Sequence, residues 1–164
     1  MKKNKLSHLD AHGHVCMVDV SAKPDTVRVA IAQGKIVMRP STLQLVLEGT
    51  IKKGDVLTVA KIAAIQGAKR TSELIPMCHP IPITGLEIDF ARDKKEASIS
   101  VTTTVTSSGK TGVEMEALTA CATALLTIYD MCKAVEKGMT IGPIQLIEKR
   151  GGKSGTWNRD RAAS

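Results

Sequence analysis

Aromatic residues are almost missing from this 164-residue chain, which carries one Phe, one Trp and one Tyr. RNA-recognition sheets stack bases on several aromatics, so the scarcity argues against that class. The core must instead be aliphatic, packed from Ile, Val, Leu, Met and Ala. Long apolar runs are lacking as well. No stretch approaches the roughly 20 residues that span a bilayer, and the opening M-K-K-N-K-L-S-H-L-D has no apolar signal-peptide core. A cytoplasmic protein with no membrane partner is expected. The four cysteines, Cys16, Cys78, Cys121 and Cys132, show no C-x-x-C spacing. Cys121 and Cys132 share a helix face but lie roughly 16 Å apart along it, too far to bridge. Free thiols in a reducing compartment are the simplest reading. Acid is the scarcer charge: 16 Asp and Glu stand against 23 Lys and Arg, a net charge of +7. That excess points to an anionic partner, whether nucleic acid, a phosphorylated small molecule or a membrane surface.

What is present is globular: 43% apolar and 24% charged residues, in a length suited to one domain with a real core. Residues 1–14 are polar and expected to be mobile, residues 15–150 to form the domain, and residues 151–164 to form a Gly-rich basic tail. V-C-M-V-D-V (Val15–Val20) reads as a short strand. Thr26–Met38 reads as strand-like segments interrupted near Gln33-Gly34. Pro40-Ser41-Thr42 opens a short helix, Leu43–Glu48, and Gly54-Asp55 precedes a second from Val56 to about Glu73. Ile83–Phe90 is a strand. Ala97–Thr106 alternates Ile99, Val101, Thr103 and Val105 on one face, the mark of a half-buried strand. A long helix runs from about Val113 to Lys137, and Ile141–Lys149 is the last strand. With the first two helices counted as one crossover, the order is β-α-β-β-α-β. The expected fold is α+β and ferredoxin-like, a mostly antiparallel sheet with helices packed on one face.

On the long helix, Glu116, Thr119, Thr123, Thr127, Asp130 and Lys133 fall within one wedge at about 100° per residue. Asp130 and Lys133 form either an ordinary i,i+3 surface pair or an acid and a base held for proton transfer. The Thr-rich face beneath them lacks the Lys and Glu of a wetted surface. It suits packing against another subunit or the floor of a cleft. Gly109-Lys110-Thr111-Gly112 and Gly152-Lys153-Ser154-Gly155 echo the last half of a P-loop, but the earlier Gly is absent from both. The first stands at a helix start, where free N–H groups favour anions; plain turn chemistry is the alternative. Cys78-His79 sets a thiol beside an imidazole, but neighbours on an extended chain point to opposite faces, against a dyad. His8, His12, His14 and Cys16 could gather a metal or simply belong to a loose terminus. Lys53, Lys61, Lys69 and Arg70 form either a basic patch or solvated charge.

M-V-D-V-S (Met17–Ser21), K-G-D-V (Lys53–Val56), A-K-R-T with L-I-P-M-C-H-P (Ala68–Pro80), G-K-T-G-V-E-M-E-A-L-T-A (Gly109–Ala120), Y-D-M-C-K-A (Tyr129–Ala134) and G-G-K-S-G (Gly151–Gly155) together resemble the cyclic pyranopterin monophosphate synthase family. This is the accessory protein C family of molybdenum cofactor biosynthesis, and the match runs in order from about residue 7 to 156. The resemblance implies a lyase. It would convert the 3′,8-cyclised dihydroguanosine triphosphate into cyclic pyranopterin monophosphate and diphosphate, without cofactor or metal. It implies catalytic roles for Asp130, Lys133 and Lys53. It implies substrate binding by Met77, Cys78 and His79, by Met115 and Glu116 with Glu114 beside them, and by Arg28, Lys69, Lys149 and Lys153. It also implies a homohexamer, a trimer of dimers with sites between subunits. Val29 and Ile31 depart from the charged residues many members carry beside Arg28.

Overall fold

The structure is a computed structural model that describes residue 14 and residues 17–162. Strand β1 (Thr26–Val37) is followed by helices α1 (Pro40–Leu47), α2 (Val56–Lys69) and α3 (Thr71–Leu74). Strands β2 (Ile83–Asp93) and β3 (Ser98–Gly109) lead to α4 (Glu114–Cys132). Then come β4 (Thr140–Arg150), β5 (Trp157–Asn158) and α5 (Arg159–Ala162). The sheet order is β2-β3-β1-β4-β5 with every pair antiparallel. β3 therefore lies between β1 and β2, and β1 lies between β3 and β4. Those are the two interleaved split β-α-β units of the ferredoxin-like fold expected from the sequence.

Alternation along the strands builds the core. Ala30, Ala32 and Ile36 of β1 are buried, as are Ile99, Val101, Thr103 and Val105 of β3, the face read from the sequence. α4 covers them with Ala117, Ala120, Cys121, Ala124, Leu125 and Ile128, all fully buried. Thr103 is the polar tie between the layers: its hydroxyl donates to the Ala117 carbonyl at 2.8 Å, so a buried hydroxyl keeps its partner.

The helix ends differ from expectation for local reasons. α2 begins where Asp55 caps it, its carboxylate accepting from Leu57 N at 3.1 Å and Thr58 N at 3.0 Å. It ends at Lys69, short of Glu73. There the Thr71 hydroxyl donates to the Gly67 and Ala68 carbonyls and takes acceptors that further helix would use. α4 stops at Cys132, short of Lys137. The amides of Val135 and Glu136 both turn back to the Cys132 carbonyl, and the Glu136 carboxylate is drawn away to Arg39 N at 2.9 Å.

Two other expectations are corrected. β1 runs through Gln33-Gly34 without a break; the irregularities lie in its register with β4, which shifts between Ile31 and Ala32 and again between Gly34 and Ile36. Residues 17–20 are extended but join no strand, and Val15 and Cys16 lie outside the described residues. Beyond Gly151, Trp157 and Asn158 fold back on Lys149 and Glu148 as β5. Arg159 secures that return. Its Nε donates to the Leu146 carbonyl at 2.7 Å, and its guanidinium lies 5.9 Å from the Trp157 ring centre.

Part of the Thr-rich face of α4 meets α2 within the chain, while Thr119, Thr123 and Thr127 stay half-buried. Gly67 has no side chain to hold α2 off Thr123; a Cβ there would collide with the Thr123 side chain and crowd the Thr119 carbonyl. Short side chains at Thr119 and Thr123 let two helices of one chain approach closely at this point.

Candidate active site

The residues singled out in the sequence fall into two groups, at opposite ends of α4. At its start, two hollows adjoin. One, of about 370 Å³, is lined by Lys23, Arg28, Lys110, Lys149, Arg150 and Lys153, with Thr111, Gly112 and Ser154. Six cations there face one carboxylate, Glu114. The second, of about 430 Å³, is lined by Met77, Cys78, His79, Met115 and Glu116, with Val18, Val20 and Ile81. Lys23, Thr111, Gly112 and Glu114 border both hollows.

Arg28 organises the first hollow. It projects from β1 and donates to the Gly109 carbonyl at 3.2 Å and the Lys110 carbonyl at 3.3 Å, fixing the loop before α4. Across it runs the Gly151–Gly152 turn. Gly152 has φ +73°, and a Cβ there would collide with the Arg28 guanidinium. Only glycine lets backbone pass so close at a left-handed position. Lys149 donates to Ser154 Oγ, which closes the far side of the loop. Cations gathered at the start of a helix, where N–H groups point outward, make a site for a multiply charged anion.

The second hollow has fewer charged side chains and contains a desolvated carboxyl. Glu116 is 3% exposed and its Oε2 has no hydrogen-bond partner. Burial pushes its pKa up, and the neighbouring Glu114 charge adds to the rise. Such a group is ready to donate or accept a hydrogen bond from a ligand with matching polar edges. The Cys78 thiol is likewise pushed up, by burial and by the Glu116 charge. It is therefore poorly disposed to act as a thiolate.

The far end of α4 holds the other group. Asp130 accepts from Lys133 Nζ at 2.6 Å through Oδ1 and from Lys53 Nζ at 2.7 Å through Oδ2. Lys53 also donates to the Asp130 carbonyl at 2.8 Å, which fastens the turn before α2 to the end of α4. Lys133, then Lys53, hold the Asp130 carboxyl down at about 2. Asp130 in turn pushes Lys133 up. All three side chains remain about half exposed in the single chain. At rest the triad is a carboxylate between two ammonium groups, so proton transfer requires a ligand to part at least one pair.

Glu116 and Asp130 are separated by about 21 Å of helix at 1.5 Å per residue. One chain thus brings together Arg28, Lys149 and Lys153, and beside them Met77, Cys78, His79, Glu114, Met115 and Glu116. It separately brings together Lys53, Asp130 and Lys133. It does not unite the two groups. Lys69, exposed at the end of α2, lines neither hollow. Lys23, Lys110 and Arg150 were not among the predicted binding residues. The GKTG turn, read from the sequence as either an anion contact or plain turn chemistry, lines the cationic hollow; nothing local in the sequence marked Lys23 or Arg150.

A ferredoxin-like α+β domain with a cationic hollow beside a half-apolar one belongs to the class that handles small anionic molecules. Residues 17–152 match the MoaC family model. A cyclic pyranopterin monophosphate synthase of Thermomicrobium roseum is 56% identical over 156 residues, covering 95% of this chain and 94% of that protein. One from Chloroflexus aurantiacus is 54% identical over 158 residues, covering 96% and 97%. The chain belongs to the MoaC family. Among solved structures, a ferredoxin protease chain aligns with TM-score 0.34 and 14% identity, over 63% of this chain and 10% of that one; so distant a likeness carries no argument here. No helix among the described residues is long and apolar enough to cross a membrane.

Proposed function

We propose that this chain is a cyclic pyranopterin monophosphate synthase. It converts the 3′,8-cyclised dihydroguanosine triphosphate into cyclic pyranopterin monophosphate and diphosphate by acid–base catalysis. The observation that carries the reading is the convergence of six cations on one hollow at the start of α4, in a chain more than half identical to proteins so named.

The residues then take distinct tasks. Arg28, Lys149 and Lys153 balance the triphosphate and the charge that grows on diphosphate as it leaves. Met77, Cys78, His79, Glu114, Met115 and Glu116 hold the guanine-derived end. Lys69 adds positive charge at the end of α2. Asp130 and Lys133, with Lys53 holding the carboxylate, exchange the protons that ring opening, pterin closure and cyclic phosphate formation require.

About 21 Å of helix between the halves means that no single copy can carry this out. The reading therefore requires a partner copy to bring its Asp130–Lys133 end to the cationic hollow of the first. We assign the assembly as a hexamer, a trimer of dimers, working in the cytoplasm. Exposed Val59, Ile62 and Leu126 on α2 and α4 are large apolar side chains that such contacts would cover.

The test incubates full-length protein with the cyclised nucleotide and follows the pterin product and diphosphate together. Stoichiometric release of both is expected. Pterin formed without diphosphate, or neither, rules the proposal out.

A further inference from the structure

The strip of residues 17–25 enters β1 without belonging to the sheet, yet it walls the hollow that contains Glu116. Val18 and Val20 are half-buried and line that hollow, while Met17, Asp19 and Ser21 between them are exposed. Two side chains from elsewhere pin the strip. His79 Nε2 lies 2.9 Å from the Val18 carbonyl. A carbonyl only accepts, so this nitrogen carries the proton and donates. Lys110 Nζ donates to the Ser21 carbonyl at 2.7 Å. The strip then turns on itself, Ser21 N donating to Asp19 Oδ1 at 2.8 Å and Lys23 N to the Val20 carbonyl at 3.0 Å. Pro24 restricts the backbone of Lys23 to extended shapes. The result is a lysine delivered to the border of the two hollows.

His79 Nε2 and one N–H of Lys110 Nζ are engaged by backbone. His79 Nε2 and Lys110 Nζ face the strip, whereas no hydrogen bond or ion pair of the Lys23 ammonium is seen among the described residues. We infer that Lys23 is an anion-binding residue shared by both hollows, and that His79 and Lys110, besides lining those hollows themselves, hold it there by clamping the 17–23 strap. The inference rests on reading the first hollow as a polyphosphate site, and its test separates the two.

Calorimetric titration of the full-length protein with inorganic tripolyphosphate reads the strap without turnover. Lys23→Ala is expected to weaken binding about tenfold, the loss of one charge-assisted contact. His79→Ala and Lys110→Ala should each weaken it several-fold. The Lys23→Ala/His79→Ala double variant should bind no more weakly than Lys23→Ala alone, because His79 acts through Lys23. His79→Gln keeps an N–H donor near the Nε2 position and should restore affinity. In turnover the Lys23→Ala loss should fall on KM rather than kcat. Unchanged affinity in Lys23→Ala, losses that multiply in the double variant, failure of His79→Gln to rescue, or wild-type protein that binds no tripolyphosphate would each overturn the strap. Wild-type protein that binds tripolyphosphate but leaves the cyclised nucleotide unchanged would instead sink the proposed activity and leave the strap standing.

Discussion

The two ends of α4 treat the same functional group in opposite ways. At the start, Glu116 is buried, lacks a partner for one oxygen, and has its pKa raised. At the end, Asp130 is half exposed, paired with two lysines, and held down at about 2. One carboxyl is strained toward its neutral form; the other is fixed as a charge until its partners move. The difference shows that one helix can hold two carboxyls in opposite states by varying solvation at one end and ion pairing at the other. It also sets their separation, which is the length of the helix.

The largest effect should come from breaking the ion-paired end. Lys133→Ala should lower product formation by on the order of 10²–10⁴-fold, with the thermal midpoint nearly unchanged because exposed pairs contribute little to stability. Normal turnover by this variant would remove Lys133 from the chemistry. Mixing tests whether the two ends cooperate between copies. Lys133→Ala and Glu116→Ala, each inactive alone, should recover about a quarter of wild-type activity after co-refolding. Half of randomly paired dimers would then hold one intact site of two. No recovery would place both groups' work within one chain.

At the hollow end, Gly152→Ala forces a side chain against Arg28 at a left-handed position. It should destabilise by about 1–3 kcal/mol, measured by denaturant unfolding, and weaken tripolyphosphate binding. A variant as stable and as tight-binding as wild type would show that the turn is not the support of Arg28.

The opposed carboxyls predict opposite pH behaviour. The Glu116 pKa is raised in the fold, so its contribution is full at low pH and lost as pH rises through the folded value. Glu116→Gln should therefore gain stability relative to wild type at pH 8 compared with pH 4. Asp130 is depressed, so its contribution is present above about pH 4 and lost as pH falls toward 2. Asp130→Asn should differ from wild type in stability least at pH 2. Equal differences at both ends of either range would contradict these environments. The smallest effect is expected from Cys78→Ser, which should keep activity within about twofold, since burial holds that thiol away from its thiolate; a covalent adduct at Cys78 would reverse this.

Much of the frame was legible because it obeys short periods. The alternation of Ile99, Val101, Thr103 and Val105 marked the buried face of β3, and Asp55 marked the start of α2. What the sequence misjudged involved contacts between distant segments. Nothing local announces that Gly67 of α2 lies against Thr123 on the Thr face of α4. The GKTG turn lies at the cationic hollow, yet Lys23 and Arg150 carried no signal. Their place in the hollow depends on a strap pinned by His79 and on the register of β4.

The order of residues by itself determined the β-α-β-β-α-β plan, the aliphatic core and the positive excess, since each follows from pattern, composition or charge along the chain. Tertiary structure alone decided which lysines meet at one hollow, why Glu116 is strained while Asp130 is not, and that the two stand a helix length apart. Solvation and distance depend on what packs against a group, and that is settled only when remote segments come together.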